Sequence, residues 1–417
     1  MSTDSKSNRF LIAGLILIAL SAAGLFMGSG ADATRPFIGW LLGVSFWLSI
    51  LIGMLFLVMI WWMFDAGWSV IVRRQLEHAI GAFPYVGLLL LPLILFSLFS
   101  ADGARIPWIW MDSGAIVPGG HGTVAEDTLY VSKSGFLSQG FFVVRYAIYF
   151  LVWGGLAYLF RRWSFNMDRT GDHGNVHRSR KLAAVGLFLC AFATTFAAID
   201  WFKSLSYHWF STMYGVWFFA ASMRAALSAT VLTLFYLGTR EDRLKGIVKP
   251  VHFYLLGCLM LAFTVFWAYI SFSQYFLIYN ANIPEETFWY NMREMNHDGS
   301  KNSWWFVSLG LIFFHFFAPF LYLLWYRNKF ALRLRVVAIW ILVFHLLDLY
   351  WNLVPQKLAT DSHGGYLVRQ FGIHFVDITT LLGVGSIVAW AFLKSAARER
   401  PIPVRDPRIE ESINCHE

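Results

Sequence analysis

The sequence predicts an all-α polytopic membrane protein, and three observations carry that expectation. The first is composition. Of 417 residues, 58% are hydrophobic and only 14% charged, whereas a soluble domain carries about 25% charged residues. Such a chain has more apolar surface than a water-facing fold can bury, so lipid is its natural solvent. The second is a series of ten apolar runs, each close to or above the ~20 residues that a helix needs to cross the hydrocarbon core. They lie near 10–28, 38–64, 79–99, 139–160, 181–201, 209–238, 248–275, 303–326, 334–354 and 370–393. The third is the distribution of lysine and arginine between them.

With both termini on one side, that side receives Lys6, Arg9, Arg73 and Arg74. It also receives the loops "RRWSFNMDRTGDHGNVHRSRK", "TREDRLKGIVK" and "RNKFALRLR" and the end of the chain from Lys394, in all 23 of the 33 basic residues. Each of these inner loops is denser in Lys and Arg than the loops beside it, and the positive-inside rule makes that side cytoplasmic. The net charge of +8 thus anchors topology and calls for no nucleic acid. Ten transmembrane helices with both termini cytoplasmic follow, as one membrane domain over 1–397 and a cytoplasmic tail over 398–417, mobile or packed on a partner.

The runs have individual features. The first has the basic flank of a signal peptide and is read as a retained span. Pro84 and Pro92 in the third run and Pro319 in the eighth kink their helices, with the freed carbonyls left to neighbours. In the loop 100–138, Trp108 and Trp110 suit an interfacial belt. In "NIPEETFWYNMREMN", Pro284 suits the first position of a short surface helix, and Glu285 and Glu286 favour its positive end. Cys190 and Cys258 lie in apolar runs and Cys415 in the tail. No Cys-x-x-Cys, haem-attachment or iron–sulfur spacing exists, so this chain offers no covalent haem or cluster.

Ionisable groups within spans cost from about 2.5 kcal/mol upward at mid-depth, so the few present are informative. "FHLLDLYWNLVP" carries His345 and Asp348, and "FGIHFVDITT" carries His374 and Asp377. Both carboxylates fall about 10 Å below the outer ends of their runs at 1.5 Å per residue, and residues three apart share a helix face. The two pairs are therefore expected to meet in one pocket in the outer half. Arg145 enters the same half, and Asp200 and His208 flank the turn "DWFKSLSYHWF"; Arg224 and His315 lie deeper. Three readings stay open. The pairs are structural, neutralising each other and fixing helix register; or they move protons, a carboxylate taking one from a quinol hydroxyl and histidine relaying it; or they ligate a metal or haem, although no zinc motif is present.

The stretches "FAAIDWFKSLSYHWFSTMYGVWFFA" (196–220), "FWAYISFSQYFLIYNANIPEET" (266–287) and "FHFFAPFLYLL" (314–324) resemble the NrfD-like integral membrane subunits of bacterial alternative complex III, a quinol:cytochrome c oxidoreductase. Two types of NrfD-like protein occur in that complex, and "HLLDLYWNLVPQ" is most similar to the F-type one. The resemblance runs from roughly residue 70 to residue 390. It implies two four-helix bundles plus two peripheral helices, in the bacterial cytoplasmic membrane. It implies no cofactor bound by this chain beyond a possible quinone or menaquinone. Haem c and iron–sulfur clusters belong to partner subunits: an iron–sulfur protein and c-type cytochromes, alongside the paralogous C-type NrfD-like protein and smaller membrane proteins. The chain is then expected to contribute to quinol-site surroundings, proton transfer or coupling, and assembly. His345, His374, Asp348 and Asp377 are the first choices for that role; Arg145, Asp200, His208, Arg224 and His315 are second. A purely structural scaffold of the same complex and a secondary transporter are the alternatives. The latter needs a midplane site on broken helices, against the outward bias of these residues.

Overall fold

Prolines mark where several helices begin, because a first-turn residue has no intrahelical use for an N–H. Pro36 opens α2 (Arg35–Met63), Pro84 α4 (Phe83–Phe99), Pro250 α9 (Pro250–Ala281), and Pro284 α10 (Pro284–Asn291). The computed structural model describes residues 3–27, 32–100, 106–119, 122–239, 244–296, 299–359 and 366–415. The remaining long helices are α1 (Thr3–Leu25), α6 (Gln139–Thr170), α7 (Gly174–Trp201), α8 (Tyr214–Thr239), α13 (Ala331–Leu353) and α14 (Phe375–Arg398). Shorter ones are α3 (Val70–Ala79), α5 (Thr128–Lys133), α11 (Ser303–Gly310), α12 (Ala318–Leu324) and α15 (Ile409–Ile413).

Among the described residues, nine helical segments are long and apolar enough to cross a membrane. They correspond to nine of the ten expected runs; α13, which carries Arg333, Arg335, His345 and Asp348, fills the tenth as a helix of 23 residues. The chain is helical, with the make-up of a multi-pass membrane protein. Its outer faces support this, since Leu15, Leu151, Phe188, Phe192, Phe306 and Val343 are exposed.

A helix that is hydrophobic all round belongs in the interior, and α2 is the case here, buried along nearly its whole length. It packs against α8, α14, α7 and α4; α8 in turn packs on α13, α9 and α7, and α1 lies along α14. Gly53 permits a close α2–α8 approach: a Cβ there would stand 2.2 Å from the Ser222 carbonyl oxygen. Helix α1 runs antiparallel to α14, with Gly24 against Phe375 and Gly14 against Ile387.

The basic loops gather at one end of the molecule. There the chain after α14 folds back: Asp406 pairs with Arg73 at 2.5 Å, Arg408 with Asp65 at 2.6 Å, and Ser412 Oγ donates to the Trp68 carbonyl. The tail, expected to be mobile or packed on a partner, is thus docked on its own chain. At the opposite end, α10 begins as expected, with Ile283 as N-cap, Pro284 first and Glu285 and Glu286 in the first turn. A short antiparallel hairpin, β1 (Lys357–Ala359) and β2 (Tyr366–Val368), precedes α14. Trp108 and Trp110 are buried rather than set in a lipid-facing belt; both rings pack on Phe142, and Trp108 donates to the Trp201 carbonyl. The loop folds over the helix ends, and this covered surface takes up both indoles.

Candidate functional site

The most unusual backbone in the bundle is a π-helical turn, Leu311–Phe317, between α11 and α12. Its origin is local. Pro319 has no N–H to offer the carbonyls one turn before it, and the widened turn lets Ala318 donate to Phe313, five residues back. Two carbonyls then need donors from elsewhere. Trp340 Nε1 donates to Phe314 at 2.7 Å, and Arg224 Nη2 donates to His315. The π-turn therefore ties α8 and α13 to the broken helix and directs the His315 ring inward. Such turns recur at functional sites.

Four ionisable side chains converge there: Arg224 of α8, His315 of the π-turn, and His345 and Asp348 of α13. All are almost completely buried. Asp348 Oδ2 accepts from Trp267 Nε1 at 3.0 Å and stands 3.9 Å from His315 Nε2; its Oδ1 accepts from Asn352 at 3.2 Å. The His315 ring packs edge-on against Trp267, and Arg224 lies over the same indole, 5.3 Å from its centre. His345 Nε2 bonds Ser49 Oγ of α2 at 2.8 Å. Arg224 Nε and Nη1 and His315 Nδ1 have no hydrogen-bond partner among the described residues. A guanidinium, two imidazoles and a carboxylate thus share an aromatic-walled space with donor capacity to spare. Toward the opposite end, Tyr214 contacts Asn352 at 3.3 Å, and Arg293 donates to the Trp351 and Asn352 carbonyls, capping α13 with a cation.

The structure separates the two His-x-x-Asp pairs. His374 is not in a helix: it is the N-cap of α14, with an extended backbone. Its N–H donates to Asp377 Oδ2 at 2.8 Å, while its ring accepts from Val376 N, a capping box. Because α14 begins at Phe375 rather than near 370, Asp377 sits in the first turn, not well inside a helix. Arg35 grips its carboxylate with Nη1 and Nη2 at 2.8 and 2.5 Å and also reaches Tyr350 and Gly372. Among the described residues Asp348 and Asp377 share no direct partner, so the expected common pocket is replaced by two networks.

The remaining residues form two further units. Arg145 and Asp200 make a bidentate pair at 2.7 and 2.9 Å, joined by Tyr149 at 2.6 Å. His208 contacts Asp127, which also accepts from Tyr207 at 2.6 Å. Burial acts to raise the Asp127 pKa, but these hydrogen bonds prevail and hold its carboxyl below the usual range. Next to it, burial and Lys203 push the Lys133 ammonium down to about 8. His208 and Tyr207 border a surface cavity of about 390 Å³ with Phe288, Gln356 and Lys357.

Sequence reasoning passed over Arg35, Trp267 and Ser49. It also placed Arg73 and Arg74 in a loop, whereas α3 buries them with Glu77 and His78. Arg74 pairs with Asp168 at 2.6 Å, and Glu77 accepts from Ser164 at 2.6 Å. The signal was present: in "VIVRRQLEH", Arg73 and Arg74 stand four and three residues before Glu77, helical spacing for ion pairs. Among the described residues, no group of three or more His, Cys, Asp or Glu side chains is placed to hold a metal ion. No protein-family model matches the chain, and no curated protein matches it either.

Proposed function

We propose that this chain is an integral membrane subunit of a quinol:electron-acceptor oxidoreductase of the alternative complex III type. In this reading it crosses the bacterial cytoplasmic membrane ten times, α13 included, with both termini cytoplasmic. Its helices divide into two four-helix bundles, with α1 and α14 peripheral. Partner proteins hold haem c and iron–sulfur clusters, and a quinone is the only redox-active molecule this chain meets. The likeness of 196–220, 266–287, 314–324 and 345–356 to NrfD-like proteins supports the assignment to the complex.

The observation that carries the proton-handling role is the Arg224–His315–His345–Asp348 cluster. Burying ionisable groups without full pairing is expensive within a membrane, and such groups mark ion or proton paths. Here His315 Nε2 stands 3.9 Å from Asp348 Oδ2, a gap that a small side-chain movement closes to a hydrogen bond. Arg224 supplies a fixed positive charge that offsets a carboxylate formed at Asp348. Asp348 is the proton acceptor, and His315 and His345 are its relay partners. The structural reading is favoured at Asp377 and Asp200, because each carboxylate is held by a bidentate arginine.

The test uses the complex purified through a tag on this chain. Haem- and cluster-bearing proteins are expected to co-purify. Asp348→Asn, in assembled complex, is expected to lower quinol oxidation by about 100-fold or more, the scale of lost general acid–base catalysis. Asp377→Asn is expected to leave turnover per assembled complex unchanged. Purification without redox partners defeats the assignment to the complex; an assembled Asp348→Asn complex with normal turnover and normal proton release defeats the role of the cluster.

A further inference from the structure

A second polar feature lies at the basic end, remote from the buried cluster. Between the start of α4, the last third of α6 and the end of α14 is a cavity of about 530 Å³, within the usual size range of a small-ligand site, about 300–1,000 Å³. Arg161, Arg162, Lys394 and Arg398 line it, and none of these four pairs with a carboxylate among the described residues. The one acidic residue in the lining, Glu399, is already engaged by Arg169. The cavity therefore carries an excess of positive charge, with Glu77 and Glu399 offsetting part of it at Arg161.

Its position is as informative as its charge. Helix α6 has 32 residues and so spans about 48 Å, well beyond the ~30 Å hydrocarbon core. If the core takes the apolar run 139–160, Arg161 and Arg162 emerge at headgroup level. Aromatic side chains surround the same level: Tyr85 and Tyr158 line the cavity, and Lys394 Nζ lies 4.6 Å from the Trp390 ring centre, the arrangement of a membrane-interface girdle. On the membrane side, Leu88 one turn from Tyr85, and Leu151 two turns from Tyr158, are both exposed. Arg161 is held over Gly81, where a Cβ would fall 2.5 Å from Nη1; it donates to Ser395 at 3.0 Å, and its Nε is buried without a hydrogen-bond partner among the described residues. The guanidinium is positioned by these contacts and makes no direct ion pair with a carboxylate among the described residues.

We infer that this cavity binds the phosphate headgroup of an anionic phospholipid, whose acyl chains run along the exposed apolar faces of α4 and α6. Arg161 and Lys394 bind the phosphate from the inner wall, and Arg162 and Arg398 close it from the aqueous side. This role is independent of quinol chemistry, so either can fail without the other.

The test compares phosphatidylglycerol, phosphatidylcholine and inorganic phosphate on the delipidated, purified protein in its complex, by native mass spectrometry and thermal unfolding. Wild type is expected to retain phosphatidylglycerol selectively and to gain thermal stability from it. Each cation removed is expected to lower that preference about fivefold, the scale of one basic residue at an anionic surface. Arg161→Gln with Lys394→Gln tests the inner wall. If that pair fails to assemble, Arg162→Gln with Arg398→Gln tests the aqueous rim. Equal retention of both lipids, or unchanged preference in an assembled double variant, overturns the inference. So does equal protection by inorganic phosphate, which marks a free-anion site, and so does an acidic segment of a partner protein found filling the cavity.

Discussion

Asp377→Asn strands a buried guanidinium, and the size of the loss follows from the contacts. Arg35 makes four hydrogen bonds: two to Asp377, at 2.8 and 2.5 Å, one to Tyr350 at 3.0 Å and one to Gly372 at 2.9 Å. An asparagine keeps one acceptor and loses the charge, and both original partners are under a tenth exposed. Removing one member of a buried pair typically costs about 3–5 kcal/mol, mostly from leaving the other charge uncompensated. At the third position of α14 the single asparagine oxygen can still accept from the His374 N–H, but the negative charge at the helix start is lost as well. Equilibrium unfolding in mixed micelles, with Arg35→Met and the double variant, completes a double-mutant cycle. We expect each single change to be strongly destabilising and the double to cost less than their sum, with a coupling of about 1–3 kcal/mol. Gly39→Ala should reproduce part of the loss, since its Cβ would fall 2.4 Å from Asp377 Oδ1. Additivity within about 0.5 kcal/mol would refute the pairing as the reason Asp377 is present.

Gly53→Ala should destabilise by about 1–3 kcal/mol through overpacking, because the new methyl meets the α8 backbone at Ser222; unchanged thermal unfolding contradicts the close approach. Asp200→Asn should cost about 3–5 kcal/mol by stranding Arg145, whereas Arg145→Met with Asp200→Leu should recover much of it in the same assay; no recovery defeats the pairing. For Lys133, the folded pKa of about 8 lies below the ordinary lysine value. Between the two values the unfolded chain holds more protons, so this group makes stability rise with pH across that window. Lys133→Met should remove that contribution. Thermal unfolding of the two proteins from pH 7.5 to 10.5 checks it, and parallel pH profiles refute it.

The long helices were legible because apolar runs and basic loops are independent signals that agree. Pro284 with Glu285 and Glu286 made α10 legible for a similar reason: cap chemistry is local. The site was legible only in part. Arg224, His315, His345 and Asp348 each stood out as ionisable groups in apolar runs, but their meeting depends on a π-turn and on helix packing, which no single run encodes. His374 and Asp377 misled because a capping box and a membrane-buried pair have the same spacing, and the apolar flank hid the true helix start. Arg73 and Arg74 misled in the opposite sense: basic residues beside a span read as a loop, whereas Glu77 one turn on, with Asp168 and Asp406 distant in sequence, makes their burial tolerable.

The docking of Asp406, Arg408 and Ser412 beside α3 sets an order on biogenesis. Arg73 and Asp406 are 333 positions apart, so the early helices enter the bilayer long before the ribosome has made this arginine's second carboxylate partner, after Glu77. Until then, among the described residues, Arg73 has only the carboxylate of Glu77, which it shares with Arg74, and that surface stays open to water. The segment 406–412 must be made before that surface can close, which makes it a latch on α3 and the turn before it.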